Sequence, residues 1–366
     1  MGISRQNVLG HRFDVQELGG TTPRDVAGVS VLDLGVQDTG TDGGPWALAC
    51  RGAEPGQLRD VSSDLVLVWS LRGAPHFYRR ADIAAVAAAT APFSEADAAK
   101  RVFDAAKPLR AAGIGVLEAL DVVAGLMREL VDRPTVKGEV SRAVSARLDP
   151  AYLRECRSCH AVHVYEMPFR LAALRAGLEL EPGTSPPVLR RIEGWSGAAE
   201  AVPDRLDVVR GTLHFLGPAT PRMVAEHLDA PVREVKTRWP SDAVEVAVDG
   251  ERRWLLGADA DRCAAAGVDP SVVRLLGSHD LFLQVRDREL LVPDPGMRQE
   301  LWVVLGRPGA VVAGGEVVGT WRPRASGGRL KLRTDIRSAV PEVLLTEQAE
   351  RLAAHRGATF AGFTDD

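Results

Sequence analysis

Long apolar runs are missing from this 366-residue chain. No stretch reaches the roughly 20 residues of a membrane span, and the first residues hold no apolar signal core. A cytoplasmic protein without membrane contact is the expectation. Cysteine is scarce, four residues in all, which excludes a disulfide framework. The chain carries no Walker loop, GxGxxG, GxSxG or HExxH, so the ready-made phosphate, dinucleotide, hydrolase and zincin sites are excluded. Excess positive charge is absent too: 45 Lys and Arg stand against 49 Asp and Glu, a net charge of −4. That balance argues against a nucleic-acid coat protein and leaves room for local basic patches. The length suffices for two or three domains with sizeable cores.

What is present is a helix-turn-helix with a hairpin behind it. Thr220 and Pro221 have the residue types of an N-cap and first helical position, opening a helix to Leu228. A break at Asp229-Ala230 precedes a second helix, Pro231 to Trp239, stopped by Pro240. Two alternating runs, Ala243–Val248 and Glu251–Leu256, flank Asp249-Gly250, a strong hairpin signal. This is the layout of a winged helix, a DNA-binding module.

The same rhythm recurs upstream. Residues 6–18 read as a helix with Val8, Leu9, Phe13 and Leu18 on its apolar side. A helix containing Trp46–Arg51 follows, then a buried strand at 64–71 that turns at Arg72–Pro75 and returns through His76–Tyr78. Residues 94–148 read as helices broken at 132–135, with Ser94 as cap, Asp97 at the capping-box position, and hairpin strands expected near 156–163 and 188–192. Beyond 270 the pattern gives strands near 281–285 and 289–292, a hairpin at 311–318 and a final helix at 347–356. Glu181–Pro187 and Gly194–Pro203 have linker composition. Residues 321–337 hold six basic residues and one acid, either a solvated hairpin or a phosphate-contacting strand.

Three segments carry a resemblance: Gly35–Thr39 with Trp46–Arg51; Val68–His76; and Asp280–Leu283 with Gly315–Trp321. In them the chain resembles the tandem winged-helix DNA-binding family that includes the azinomycin-resistance DNA glycosylase and bacterial interstrand-crosslink glycosylases. The resemblance runs over nearly the whole chain. It implies an α+β fold of three tandem winged-helix units, at 1–90, 91–200 and 201–260, in a C-shaped array around DNA, with a C-terminal α/β extension at 261–366. It also implies excision of bulky N7-alkylated purines, or unhooking of crosslinks, from double-stranded DNA by a monomer. The family signature is a Gln, one residue, then a second Gln or an Asp. Gln37 matches the first position; the third is Thr39, and the carboxylate stands one place early, at Asp38. These three are the candidate catalytic residues. Arg72, Gly73, Pro75, His76, Arg79 and Arg80 around the first hairpin, and Arg322 and Arg324, are the candidate DNA contacts. A non-catalytic regulator or lesion sensor is the alternative.

Cys156, Cys159 and His163 form a partial zinc pattern that lacks a fourth ligand at a convincing spacing; a buried hairpin with reduced cysteines is the alternative. No other cofactor is expected.

Overall fold

The computed structural model describes residues 2–20, 22–54, 58, 63–157 and 160–364. After β1 (Gly2–Ile3), Ser4 caps α1 (Arg5–Val15). The Asn7 N–H donates to the Ser4 hydroxyl and the Ser4 N–H donates to the Asn7 side chain, so two donors orphaned by the first turn are satisfied. Val8, Leu9 and Phe13 are buried, as their spacing predicts. The chain then reaches β2 (Val36–Gln37) and α2 (Gly43–Ala49). The expected first hairpin follows as β3 (Leu65–Trp69) and β4 (Pro75–Arg79).

Next come α3 (Ile83–Thr90), α4 (Glu95–Arg101), α5 (Ala106–Ala111) and α6 (Val116–Leu130). Ser94 caps α4 as expected, while the Asp97 carboxylate accepts from the Phe93 N–H rather than that of Ser94. After the break come β5 (Thr135–Val136) and α7 (Lys137–Ser145), then the hairpin β6 (Leu153–Cys156) and β7 (Ala161–Val164). α8 (Glu166–Arg175), β8 (Leu178–Leu180) and β9 (Val188–Arg191) follow. Glu181–Pro187 is not a linker: β8 and β9 pair across it, and the Thr184 hydroxyl closes the turn by donating to the Glu181 carbonyl and accepting from the Val188 N–H. Pro and Gly serve turns as readily as linkers.

The segment read as a winged helix holds three helices followed by a hairpin. α9 (Val208–Leu216), α10 (Pro221–Leu228) and α11 (Val232–Thr237) precede β10 (Ala243–Val248) and β11 (Glu251–Leu256). Asp249 and Gly250 have φ of 47° and 87°, the two left-handed residues that a tight two-residue hairpin needs. β1 adds to β10 as a parallel strand. Just past α11, the exposed Arg238 guanidinium lies 4.5 Å from the Phe93 ring centroid, and Trp239 packs edge-on against Trp254.

The rest holds α12 (Gly257–Ala265), β12 (Val273–Leu276), α13 (Arg288–Leu291), α14 (Pro295–Leu301), β13 (Gly309–Ala313), β14 (Glu316–Ser326), β15 (Arg329–Ile336), α15 (Glu342–His355) and β16 (Thr359–Thr364). The strands expected near 281–285 and 289–292 are instead a 3-10 turn, Leu281–Gln284, and α13. Asp280 caps the first by accepting from the Phe282 N–H, and apolar runs this short do not reveal their period.

Two larger sheets organise the chain, β2-β4-β3-β8-β9-β5 and β12-β13-β14-β15-β16. The first draws strands from both sides of residue 90, so its β3–β8 contact joins what sequence reading separates. Buried ion pairs tie distant segments together. Arg51, at the end of α2, grips Asp280 with two hydrogen bonds of 2.8 and 2.9 Å, and Asp287 accepts from both Arg12 and Arg253. No described helix is long and apolar enough to cross a membrane.

Candidate active site

β2 is two residues long and pairs with β4, placing Gln37 opposite His76. The chain then turns through Asp38–Asp42 into α2. Gly44 lets this turn close: a Cβ there would lie 2.6 Å from the Phe77 ring and 3.2 Å from the Asp38 Cβ. The Gly44 N–H therefore reaches the Asp38 carboxylate, donating at 2.9 Å near the positive end of α2. Burial raises the Asp38 pKa, the Gly44 hydrogen bond opposes that, and Asp42 adds to the rise. Asp42 is itself held by Arg356 through hydrogen bonds of 2.7 and 2.8 Å.

Gln37 is fixed at both ends of its amide. Its Nε2 donates to the Thr39 hydroxyl at 2.9 Å, and its Oε1 accepts from Arg72 at 3.3 Å. A guanidinium only donates, so the amide can face Arg72 only with its oxygen. Arg72 also donates to Gln284 Oε1 at 2.6 Å and to the His227 carbonyl at 2.7 Å. Burial lowers its pKa to about 10, still far above neutrality, so it stays charged. Its φ of 58° is a left-handed conformation that costs a non-glycine residue of order 1–3 kcal/mol. Gln37, Thr39 and Arg72 thus meet although 35 residues separate the two ends of the set. Gln284 completes it; nothing in its local pattern marks it, because only the fold brings it there.

The other expected DNA contacts divide. His76 is 2% exposed; its ring bonds Ser70 and the Ala74 carbonyl, and burial lowers its pKa to about 3, leaving it neutral. Arg79 donates to the Ala27 and Val29 carbonyls and pairs with Asp33, and Arg80 pairs with Glu179 at 2.9 Å. These three side chains are turned into the protein, because nearby carboxylates and carbonyls take their hydrogens. Gly73 is buried, and its carbonyl accepts from Arg170 of α8.

Arg322 and Arg324 lie on the opposite wall. Thr39, Asp42, Arg307, Arg322, Arg324 and Arg356 line a cleft of about 290 Å³ on one side of the Asp38–Asp42 turn. On the other side a cleft of about 560 Å³ is lined by Asp38, Leu67, Trp69, Pro75 and Glu181. A larger groove of about 970 Å³ between β10–β11 and residues 286–302 mixes both charge signs and includes no residue of the turn. In the β14–β15 pair Arg322 faces Arg333 and Arg324 faces Lys331. Like charges directly opposite repel. Leu330 and Leu332 are buried while Arg324, Arg329, Lys331 and Arg333 are exposed, so this basic face is open. Arg286 and Arg307 are half-buried, and no described carboxylate lies within ion-pair distance of either; both were missed from sequence.

Cys156 and His163 sit on adjacent strands, at diagonal positions of one hairpin face. Cys159 lies outside the described residues. Among the described residues no three His, Cys, Asp or Glu side chains come together as a metal site.

Comparison with known proteins follows the same direction. A family profile described as "DNA glycosylase AlkZ-like" matches residues 31–356. No curated protein matches the sequence. Among solved structures, Streptomyces sahachiroi DNA glycosylase AlkZ superimposes with a TM-score of 0.76 over 100% of both chains at 20% identity, a likeness of fold. A profile match over most of the length, on a chain with this fold, shows that the protein belongs to the AlkZ-like DNA glycosylase family.

Proposed function

We propose that the protein excises bulky N7-alkylated purines from duplex DNA, and unhooks crosslinks made through such bases, with Gln37, Asp38 and Thr39 at the reacting sugar. The observation that carries this reading is the Thr39–Gln37–Arg72 hydrogen-bond chain beside Asp38, at a turn whose facing wall is an open basic strand pair.

The chemistry asks little of an acid. An N7-alkylated purine is already cationic, so the C1′–N9 electrons leave with it and the base departs neutral. What remains is a cationic sugar that water must reach. The Gln37 amide and Thr39 hydroxyl orient that water. The Asp38 carboxylate, made more basic by burial, stabilises the sugar and takes the water's proton. Arg72 touches neither water nor sugar; it is a positioning residue for Gln37. The base lies toward Leu67, Trp69 and Pro75, and Arg307, Arg322 and Arg324 take the backbone phosphates.

The tandem organisation belongs to the same proposal: winged-helix units at 1–90, 91–200 and 201–260 with an extension at 261–366, arrayed around DNA as a monomer. The helix-helix-hairpin layout of 208–256 supports it, and the β3–β8 pairing means that the first two units share a sheet. The test is incubation with duplex DNA carrying a single N7-alkylguanine, scoring free base. Release supports the enzyme; tight binding without release favours the lesion-sensor reading.

A further inference from the structure

We infer that the loop joining α14 to β13, residues 302–308, is the element that enters the DNA base stack, with Val304 and Leu305 as its wedge. The inference rests on the glycosylase reading above and names which part of the molecule opens the duplex for it.

Val304 is 95% exposed and Leu305 is 87% exposed, more than any other large apolar side chain among the described residues. Adjacent apolar side chains held in water gain nothing from folding, and burial in a partner is their only route out of solvent. The loop is not slack. On one flank the Trp302 indole donates to the Leu283 carbonyl at 3.2 Å, under the Arg288 guanidinium at 4.8 Å from its ring centroid. On the other flank the Gly306 carbonyl accepts from Arg322, and Gly309 pairs with Trp321 in the sheet. The tip is therefore presented from a fixed base.

Its surroundings select the partner. Gly306 and Arg307 line the same cleft as Thr39–Gly43, with Arg322 and Arg324 beside them. Arg307 has no described carboxylate partner. An apolar tip beside Arg307, Arg322 and Arg324 suits stacked bases flanked by phosphates, and apolar side chains of this kind unstack base steps in other DNA complexes. The β3–β4 hairpin is poorly placed for that task. Its Arg72 is half-buried and tied to Gln37, Gln284 and the His227 carbonyl, and its Gly73 carbonyl is bound by Arg170.

The test uses the full chain and a duplex with 2-aminopurine beside one N7-methylguanine. Binding by the parent should raise the fluorescence as the stack opens, a readout that needs no catalysis. The V304S/L305S variant should lose most of that rise and slow base release by about tenfold. The V304I/L305M variant should keep both, and V343S, at another exposed apolar position, should behave as the parent. V304S/L305S matching the parent in both readouts would overturn the wedge alone. A parent that binds no duplex DNA would overturn both the wedge and the glycosylase reading.

Discussion

Arg72 holds an unfavourable backbone conformation and a half-buried charge together, and both are tolerated because its hydrogens reach Gln37, Gln284 and the His227 carbonyl. Lysine at this position keeps the charge and cannot span three acceptors. We expect Arg72→Lys to slow base release about tenfold, the scale of one misplaced hydrogen bond, with DNA affinity nearly unchanged. Single-turnover rates and a binding titration separate the two. Asp38 gives a pH signature. Burial raises its pKa, so its protonation on acidification begins above the ordinary aspartate value of about 3.9. Base release should fall on the acid side through that raised value, as the carboxylate gains a proton. Asp38→Asn keeps an acceptor for the Gly44 N–H and removes the titration, so its rate should be low and lack the acid limb. An unchanged acid limb in the variant would assign the titration to another group.

At the scale of elements, the β14–β15 pair offers the clearest test of the DNA face. Lys331 and Arg333 lie opposite Arg324 and Arg322, and no described carboxylate is within ion-pair distance of these four. The K331S/R333S variant should bind duplex DNA more weakly, and its plot of log affinity against log salt should be shallower by roughly 0.9 per lost phosphate contact. Its thermal stability should hold or rise slightly, since repulsion is relieved. This basic hairpin was legible from sequence, as were the β3–β4 hairpin and the helices and hairpin of 220–256, because capping residues and turn dipeptides act locally. The 281–292 segment was not, since apolar runs of four fit either period until Asp280 caps the turn. In the candidate site Gln37 was singled out by its match to the first position of the family signature, and Thr39 by its departure from the third. Their closure by Arg72 and Gln284 was not legible, because it depends on β2 pairing with β4 and on a turn 247 residues from Gln37. The inward turn of Arg79 and Arg80 is hidden for the same reason: their partners Asp33 and Glu179 are distant in sequence.

For the whole molecule, the buried ion pairs hold α2, and with it the Asp38–Asp42 turn, to the C-terminal half. The Arg51 and Asp280 side chains are 1% and 0% exposed, and both lie in the segments that carry the family resemblance. Removing one partner leaves the other buried and unpaired. Arg51→Met should destabilise the protein by about 3–5 kcal/mol, read as a lower denaturation midpoint. A change below about 1 kcal/mol would mean that the pair does not hold these segments together. The central claim, however, is chemical: the turn at Gln37–Thr39 is where the glycosidic bond breaks. Its most direct test is single-turnover release of free base from a duplex with one N7-alkylguanine, comparing the parent with Gln37→Ala at matched saturation. The account predicts release by the parent and a rate about 10–100-fold lower for the variant, with unaltered DNA affinity. Equal rates for the two proteins, or a parent that binds the duplex and releases no base, would contradict it.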